Sequence, residues 1–309
     1  MTSVAAMRAP TENSSGAGEA TPRRSGVVWF GLLPFSVYVL LFLAIPAVLA
    51  VGSGFFDTAG RFTLTNLSAF ANPQILTHFA NSVGISAVTA ILGSVIGAVV
   101  CFALLGTKSS GFLRTTVDSA SSVLAQFGGV MLAFAFIATM GTQGLLTKWL
   151  VSLGMARNVL NNYNDNGPLI YQVAGLIVVY LYFQVPLMVL TFMPAMEGLK
   201  ATWAEASATL GGTRVTYWTR IGIPILAPAF FGSLILLFAN SFSSYATAAA
   251  LISSQAVITP LDIKQQLTSE TVVGVSNVAG VLALGMVLVM IVLMIAYSAL
   301  QRRASRWQR

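Results

Sequence analysis

Residues 201–224 read ATWAEASATLGGTRVTYWTRIGIP and separate two long apolar runs, at about 169–194 and 225–252. The first ten residues of this stretch are rich in types that favour helices. We therefore predict a helix of about two turns between two membrane spans. Thr202 is predicted to cap its start, and Glu205, three residues later, is predicted to complete a capping box.

Two glycines are predicted to end this short helix. Gly211 and Gly212 follow its last helix-forming residue, and glycine tolerates the left-handed backbone conformation that commonly closes a helix. Pro224 is then predicted to precede the next span, and Pro228 to lie in its first turn, where no N–H is needed. The pattern predicts a short, rigid helix that is followed by a sharp bend of the chain.

The composition of the chain excludes a water-exposed surface over most of its length. The chain is 56% hydrophobic and only 8% charged, whereas soluble domains carry about 25% charged residues. A spanning helix needs roughly 20 apolar residues, while barrel strands would be about 10 residues of alternating polarity. The sequence thus predicts an all-α membrane protein with six transmembrane helices. The predicted spans are residues 27–53, 79–105, 117–140, 169–194, 225–252 and 277–300.

Three predicted parts make up the chain. Residues 1–25 are polar and are predicted to be a disordered cytoplasmic tail. Residues 26–300 form one transmembrane domain, with an inner loop at about 195–224, and residues 301–309 form a basic tail. Cys101 is the only cysteine, so an intramolecular disulfide is excluded.

The distribution of charge predicts the orientation of the chain. With the N-terminus inside, twelve of the 16 Lys and Arg residues fall in inner segments and four in outer segments. This bias follows the positive-inside rule and predicts that both termini are cytoplasmic. The net charge of +7 is therefore attributed to the membrane rather than to a nucleic-acid partner, with Arg302–Arg309 as an anchor to the inner leaflet.

The chain lacks a phosphate-binding loop of the G-x-x-x-x-G-K-[ST] type. We therefore expect no nucleotide site of that type and no cofactor in this chain. Any energy from ATP must come from a separate polypeptide that holds the ATP and Mg²⁺.

The polar stretch resembles the EAA loop of ABC-importer permeases, whose pattern is E-A-A, three residues, G, nine residues, I-x-L-P. The matching residues are Glu205, Ala206, Gly211, Ile221 and Pro224. Ser207 replaces the second alanine and Ile223 replaces the leucine. The resemblance extends over roughly residues 27–300. The alternative interpretation of residues 201–224 is an ordinary cytoplasmic turn with a capped helix.

The resemblance implies a type I importer permease that catalyses no chemistry itself. Two ATPase subunits would dock through the loop, at Glu205, Ala206, Ser207, Gly211 and Pro224. The importer would also contain a second permease, homologous or identical, and an extracytoplasmic solute-binding protein. The implied location is the plasma membrane of a bacterium, with the chain as a multi-pass protein in the lipid bilayer.

The resemblance also bears on the substrate. The stretch Phe238–Leu251, FANSFSSYATAAAL, resembles permeases for polyamines, 2-aminoethylphosphonate and similar small organic solutes, and Phe62–Leu67, FTLTNL, resembles the lead-in to their second span. A sugar or glycerophosphodiester importer is the alternative substrate class.

Polar residues within the spans are candidates for the translocation pathway. Ser233, Asn240, Ser244 and Thr247 would share one stripe on a continuous fifth helix. Asp118, Ser122, Gln126 and Gly129 would share another on the third, and Gln184 lies within the fourth. Of these, Gln126, Gln184, Asn240, Ser244 and Thr247 are our pathway candidates, and hydrogen bonding between helices is the alternative role.

Other residues have simpler interpretations. Asp118 is expected to pair with Arg114, one turn earlier on the same helix. The small residues Ser82, Ser86, Gly93 and Gly97 are expected to pack against another helix. The single histidine, His78, is expected to lie in a loop just before the second span, with no metal partners in the sequence.

Two other classes of protein remain as alternatives. A secondary transporter or channel would need an ion-coupling carboxylate or broken helices near the midplane, and the midspan candidates are amides and hydroxyls. A membrane enzyme would need paired carboxylates, a histidine cluster or a Ser–His set within the spans, and the sequence offers none of these.

Overall fold

The computed structural model describes residues 26–57, 59–107, 111–154, 169–252, 258–268 and 275–305. Over these ranges the chain is helical, apart from turns and one isolated bridge between Phe56 and Phe62. The predicted all-α architecture is therefore confirmed. The α-helices in chain order are α1 (Gly26–Val39), α2 (Ile45–Ser53), α3 (Pro73–Leu104), α4 (Phe112–Leu124), α5 (Gly129–Met140), α6 (Leu145–Ser152), α7 (Val173–Glu197), α8 (Ala201–Thr209), α9 (Arg214–Tyr217), α10 (Ile223–Phe242), α11 (Ala246–Leu251), α12 (Thr259–Thr268) and α13 (Val275–Ser305).

The described residues fall into two compact units, which are divided in the sequence between Leu49 and Ala50. In the first unit, α1 continues through a π-helical turn at Leu40–Ala44 into the start of α2. The backbone N–H of Ile45 donates to the carbonyl of Leu40, and Pro46 follows with no N–H of its own to offer. The remaining helices belong to the second unit.

Among the described residues, six helical stretches are long and apolar enough to cross a membrane. This number confirms the six predicted spans, and the chain is a multi-pass membrane protein. The stretches are Gly31–Ser53, Pro73–Leu104, Gly129–Ser152, Val173–Glu197, Arg214–Phe242 and Asn277–Ala299. The first, second, fourth and sixth agree with the prediction to within six residues at either end, while the third and fifth differ in ways that matter for the site.

Helices α3 and α7 pack closely along the small residues of α3. A Cβ added at Gly97 would lie 2.5 Å from Cβ of Met188, and one added at Gly93 would lie 3.0 Å from Cβ of Gln184. Ser82 and Ser86 are buried on the same helix. The predicted packing face of α3 is thus confirmed, because small side chains let two backbones approach within a membrane.

The third predicted span is not one continuous helix. Helix α4 ends at Leu124, α5 begins at Gly129, and residues 125–128 break the helical path. Gly129 has a φ of 74°, a conformation that glycine adopts without the steric penalty of a Cβ atom. The prediction that Asp118, Ser122 and Gln126 share one stripe with Gly129 is therefore wrong.

The fifth span begins earlier than predicted. Helix α9 leads through a π-helical turn at Trp218–Gly222 directly into α10. Pro224 and Pro228 both lie inside this helical stretch, so the prediction that Pro224 precedes the span is wrong. The π-helical turn precedes the first of these prolines, which has no N–H to bond to a carbonyl of the preceding turn.

The fifth span also ends earlier than predicted. Helix α10 stops at Phe242, and α11 begins at Ala246 after a bend at residues 243–245. The hydroxyl of Ser243 donates to the carbonyl of Ala239 at 2.9 Å, and such local bonds compete with regular helix. Ser244 lies in the bend and Thr247 on α11, so the predicted stripe along one continuous helix is wrong.

The segment before the last span contains a helix that packs on α3. In α12, the N–H of Thr259 donates to the hydroxyl of Ser82 at 2.7 Å. His78 Nδ1 lies 2.9 Å from Oδ2 of Asp262. His78 was predicted to lie in a loop, but α3 begins at Pro73, where the Asn72 side chain caps the helix.

Some predictions fall on residues that the structure does not describe. The tail 1–25 and Arg306–Arg309 lie outside the described residues. Helix α13 continues to Ser305 and so includes part of the predicted basic tail.

Candidate functional site

The predicted coupling helix is present as α8, but its start differs from the prediction. Lys200 occupies the N-cap position with extended backbone angles, and no side chain caps the helix there. Thr202 is already the second helical residue, so its hydroxyl is too far along the chain to cap the first turn. The predicted capping box of Thr202 and Glu205 is therefore wrong.

The end of α8 confirms the predicted glycine stop. Gly211 has a φ of 79°. Its N–H donates to the carbonyl of Ala208 at 3.0 Å, and the N–H of Gly212 donates to the carbonyl of Ser207 at 2.8 Å. This pair of bonds is the Schellman motif, which satisfies the free carbonyls at a helix end and fixes the direction in which the chain leaves.

The predicted coupling residues lie together on an accessible surface. Glu205, Ala206 and Gly211 are exposed, and Ser207 is half-buried. Among the described residues, Glu205 has no ion-pair partner within 4.0 Å. Pro224 is also exposed, on the helical stretch that follows α8.

A groove runs beside α8. One wall consists of α8 and its bend, and the other consists of the turns that lead into α10. The lining residues are Trp203, Ala206, Ser207, Leu210, Gly212, Thr216, Arg220, Ile221 and Ile225. The groove is mainly apolar with one arginine. Leu210, one of the residues at its edge, is 89% exposed. An exposed leucine next to a mainly apolar groove is typical of a contact surface for another protein.

The breaks in the third and fifth spans lie against each other. The hydroxyl of Thr247 donates to the carbonyl of Gly129 at 3.2 Å. The phenol of Tyr180, on α7, donates to the carbonyl of Ser244 at 2.9 Å. Irregular backbone inside a membrane is tolerated only where it is buried in protein or lines a cavity, and the bond from Tyr180 satisfies a carbonyl that the end of α10 leaves free.

The pathway candidates occupy different environments. Gln126 is exposed in the first break, Ser244 is half-buried in the second, and Thr247 is buried on α11. Asn240 is exposed on α10, beside a groove formed with α13. The structure brings Ser244 and Thr247 close to α5 and α7, whereas Asn240 faces away from the protein interior.

Gln184 is fully buried between α3 and α10. Its Nε2 donates to the hydroxyl of Thr89 at 2.9 Å, and that hydroxyl lies 3.0 Å from the hydroxyl of Ser241. The amide oxygen of Gln184 has no hydrogen-bond partner among the described residues. These contacts support the alternative role of Gln184 as a bond between helices, while its pathway role stays a prediction.

We expect Gln184→Leu to lower the stability of the protein only slightly. One interhelical hydrogen bond would be lost, and such bonds contribute about 0.6 kcal/mol on average in membranes. The same change removes a buried amide oxygen that has no partner among the described residues, which offsets part of the loss. Thermal unfolding in nanodiscs would measure the shift. Unchanged stability together with abolished transport would instead favour the pathway role.

The expected pair of Arg114 and Asp118 is present, with Nε 3.5 Å from Oδ2. The guanidinium also donates to the carboxylate of Glu197 at the end of α7, a second partner that was not predicted. The pair of His78 and Asp262 was not predicted either. No spacing rule relates residues that are 83 or 184 positions apart.

The described residues contain no group of three or more His, Cys, Asp or Glu side chains that could hold a metal ion. The polar contacts of α8, of the two breaks and of Gln184 are hydroxyl, amide and backbone contacts.

Comparison with known proteins identifies relatives among transport permeases. No family model matches the sequence. The chain is 21% identical to the sulfate transport system permease protein CysT of Escherichia coli over 206 residues, which cover 67% of this chain and 69% of the relative. It is 22% identical over 273 residues to a probable sulfate transport system permease protein of Zygnema circumcarinatum, with 86% of each chain covered.

A further relative is the molybdenum transport system permease protein ModB of Mycobacterium tuberculosis. The identity is 24% over 146 residues, which cover 46% of this chain and 49% of the relative, so the chain spans about half the length of that protein. These relatives are permease subunits of transport systems, and such subunits are not enzymes.

The fold matches solved importers over most of the chain. A bacterial alginate ABC transporter, solved with an alginate-bound periplasmic protein, gives a TM-score of 0.68 at 15% identity and covers 91% of this chain and 95% of that one. The methionine ABC transporter MetNI gives a TM-score of 0.53 at 15% identity, with 74% and 95% covered. The six membrane-spanning stretches and the all-helical architecture therefore place this chain in the fold of the ABC-importer permeases.

Proposed function

We propose that the chain is the permease subunit of an ABC importer and that α8 is the helix through which a separate ATPase drives it. The observation that carries this proposal is the exposed α8, closed by the bend at Gly211. It lies between the fourth and fifth membrane spans of an importer permease fold. An exposed short helix with fixed ends suits docking, because little conformational entropy is lost when it enters a cleft.

The proposed partners follow from the surface around α8. Two ATPase subunits would hold ATP and Mg²⁺, and each would receive one such helix. Glu205 is exposed without an ion-pair partner in the described part of the chain, so it is free to meet a basic side chain of the ATPase. A second permease, identical or homologous, would complete the pathway, and an extracytoplasmic binding protein would deliver the solute.

The proposed orientation places α8 and both termini in the cytoplasm of a bacterial cell. It rests on the excess of Lys and Arg in the inner segments, at twelve of 16. A movement of the ATPases would then shift α8 and, with it, the ends of α7 and α10 that flank it. Such rigid displacement of helix ends is a known route for switching membrane proteins between two states.

Co-purification followed by an ATPase assay tests this proposal. The full chain should be produced together with the ATPase from a neighbouring reading frame and purified through a tag on the permease. We expect the ATPase to be retained and to hydrolyse ATP in the complex. Failure of any ATPase to co-purify with the intact chain would contradict the importer function and favour a secondary transporter or channel.

For the substrate, we propose a small organic solute of the polyamine or aminophosphonate type. The support is the resemblance of Phe238–Leu251 to permeases for such solutes. A tetrahedral oxyanion is the second candidate, because three of the relatives are named for sulfate or molybdenum transport. Calorimetric titration of the cognate binding protein with spermidine, 2-aminoethylphosphonate, sulfate and molybdate would distinguish the two.

We expect Asn240→Ala to change the rate of transport of the solute identified in this way. A single hydrogen bond contributes about 0.5–1.5 kcal/mol, so the rate should change by about two- to tenfold. Ser243→Ala is the matched control, because its hydroxyl is bonded to the carbonyl of Ala239 although it lines the same groove. Equal rates for Asn240→Ala and the native chain would remove Asn240 from the pathway.

A further inference from the structure

Arg114 is a buried cation that joins two helices. Its side chain is 8% exposed, and its guanidinium contacts the carboxylates of Asp118 and Glu197. Those two carboxylates are 45% and 51% exposed. A buried guanidinium is stable only where opposite charges and hydrogen bonds compensate it, so the two contacts hold the Arg114 side chain in one place.

The two contacts differ in what they connect. Asp118 lies on α4 itself, four residues after Arg114, and therefore constrains only that helix. Glu197 is the last residue of α7, and only Gly198, Leu199 and Lys200 separate it from α8. The contact with Glu197 therefore fastens α4 to the base of the coupling helix.

The far end of α4 is not fastened in the same way. The helix stops at Leu124, and the chain turns through residues 125–128 to Gly129, whose φ is 74°. A Cβ added at Gly128 would meet nothing within 4 Å, so the backbone has room to rotate there. Beyond the break, α5 is bound to α11 through the hydrogen bond from Thr247 to the carbonyl of Gly129.

We propose that Arg114 is a positioning residue that makes α4 follow the coupling helix, with residues 125–129 as the hinge. Movement of α8 displaces Glu197, and the ion pair transfers that displacement to α4. The glycines absorb the change in backbone angles, so that α5 and α11 stay in place at the second break. This inference rests on the proposed function, because it assigns the contacts through which a movement of the ATPase displaces α4.

Hydrogen–deuterium exchange of the permease–ATPase complex in nanodiscs tests the proposal. The complex would be compared without nucleotide and after trapping with Mg-ATP and orthovanadate. In the native chain, we expect trapping to change exchange at both 201–210 and 121–130. In Glu197→Gln, the change at 201–210 should remain and the change at 121–130 should be lost, because the link between the helices has lost its charge.

Matched variants separate this role from general stability. Asp118→Asn removes an equally exposed carboxylate from the same arginine and should retain both exchange changes. Glu197→Asp keeps the charge and should also retain them. The proposal is overturned if Glu197→Gln keeps the change at 121–130, if Asp118→Asn loses it equally, or if Glu197→Gln prevents assembly of the complex. Absence of any change at 201–210 in the native complex would instead refute the proposed function.

Discussion

Gly211→Val is expected to weaken the association of the chain with its ATPase by about tenfold. Gly211 has a φ of 79°, and an L-residue with a left-handed backbone costs roughly 1–2 kcal/mol, with β-branched side chains at the upper end. Nothing lies within 4 Å of an added Cβ, so the effect comes from the backbone and not from a clash. Relief of this strain would break the two bonds that close α8 and would misplace Glu205 and Ala206.

The test measures how much ATPase is retained when the tagged Gly211→Val permease is purified. A cost of roughly 1–2 kcal/mol corresponds to about a tenfold loss of the docked conformation. Gly60→Val is the matched control, since Gly60 has a φ of 74° with nothing within 4 Å of an added Cβ, in the segment between α2 and α3. Native retention of the ATPase by Gly211→Val would mean that α8 is an ordinary turn.

The features that the sequence analysis predicted correctly are those that local chemistry determines. The six spans follow from runs of apolar residues that only lipid can surround, and the stop at Gly211 follows from the freedom of glycine at positive φ. The packing face of Gly93 and Gly97 follows in the same way, because two small residues four positions apart allow a close approach of helices.

The errors in the two predicted polar stripes share one cause, which is the assumption of continuous helices. Periodicity placed Gln126 with Asp118 and Asn240 with Thr247, but Gln126 lies in the first break and the second break separates Asn240 from Thr247. The residues that mark the breaks are present in the sequence, as Gly128-Gly129 and as Ser243-Ser244. Glycine and serine are tolerated inside membrane helices, so their presence alone does not predict a break.

The contacts that link distant parts of the chain were not predictable from one sequence. Glu197 was not expected to reach Arg114, nor Asp262 to reach His78, because the residues meet only after α3, α4, α7 and α12 have packed. The burial of Gln184 was likewise not visible, since an amide within a span suits either a pathway or a contact between helices. In the structure, the Gln184 amide donates to Thr89.

The α3–α7 interface should be highly sensitive to added volume. At Gly97, a Cβ would lie 2.5 Å from Cβ and 2.7 Å from Cγ of Met188, and 3.1 Å from the carbonyl oxygen of Val185. The backbone of α7 would have to move, and overpacking of this kind costs about 1–3 kcal/mol. We therefore expect Gly97→Ala to lower the unfolding temperature, measured from tryptophan fluorescence in nanodiscs.

Gly84→Ala isolates the packing effect, because Gly84 lies on the same helix and has nothing within 4 Å of an added Cβ. Alanine favours helix over glycine by about 0.8–1.0 kcal/mol at either position, so Gly84→Ala should leave the unfolding temperature unchanged or raise it. The difference between the two variants then measures the contact with α7 alone. Since α7 ends at Glu197, beside α8, a loosened interface should also weaken ATPase retention in Gly97→Ala. Equal unfolding temperatures for the two variants would mean that α3 and α7 are farther apart in the membrane than the 2.5 Å approach requires.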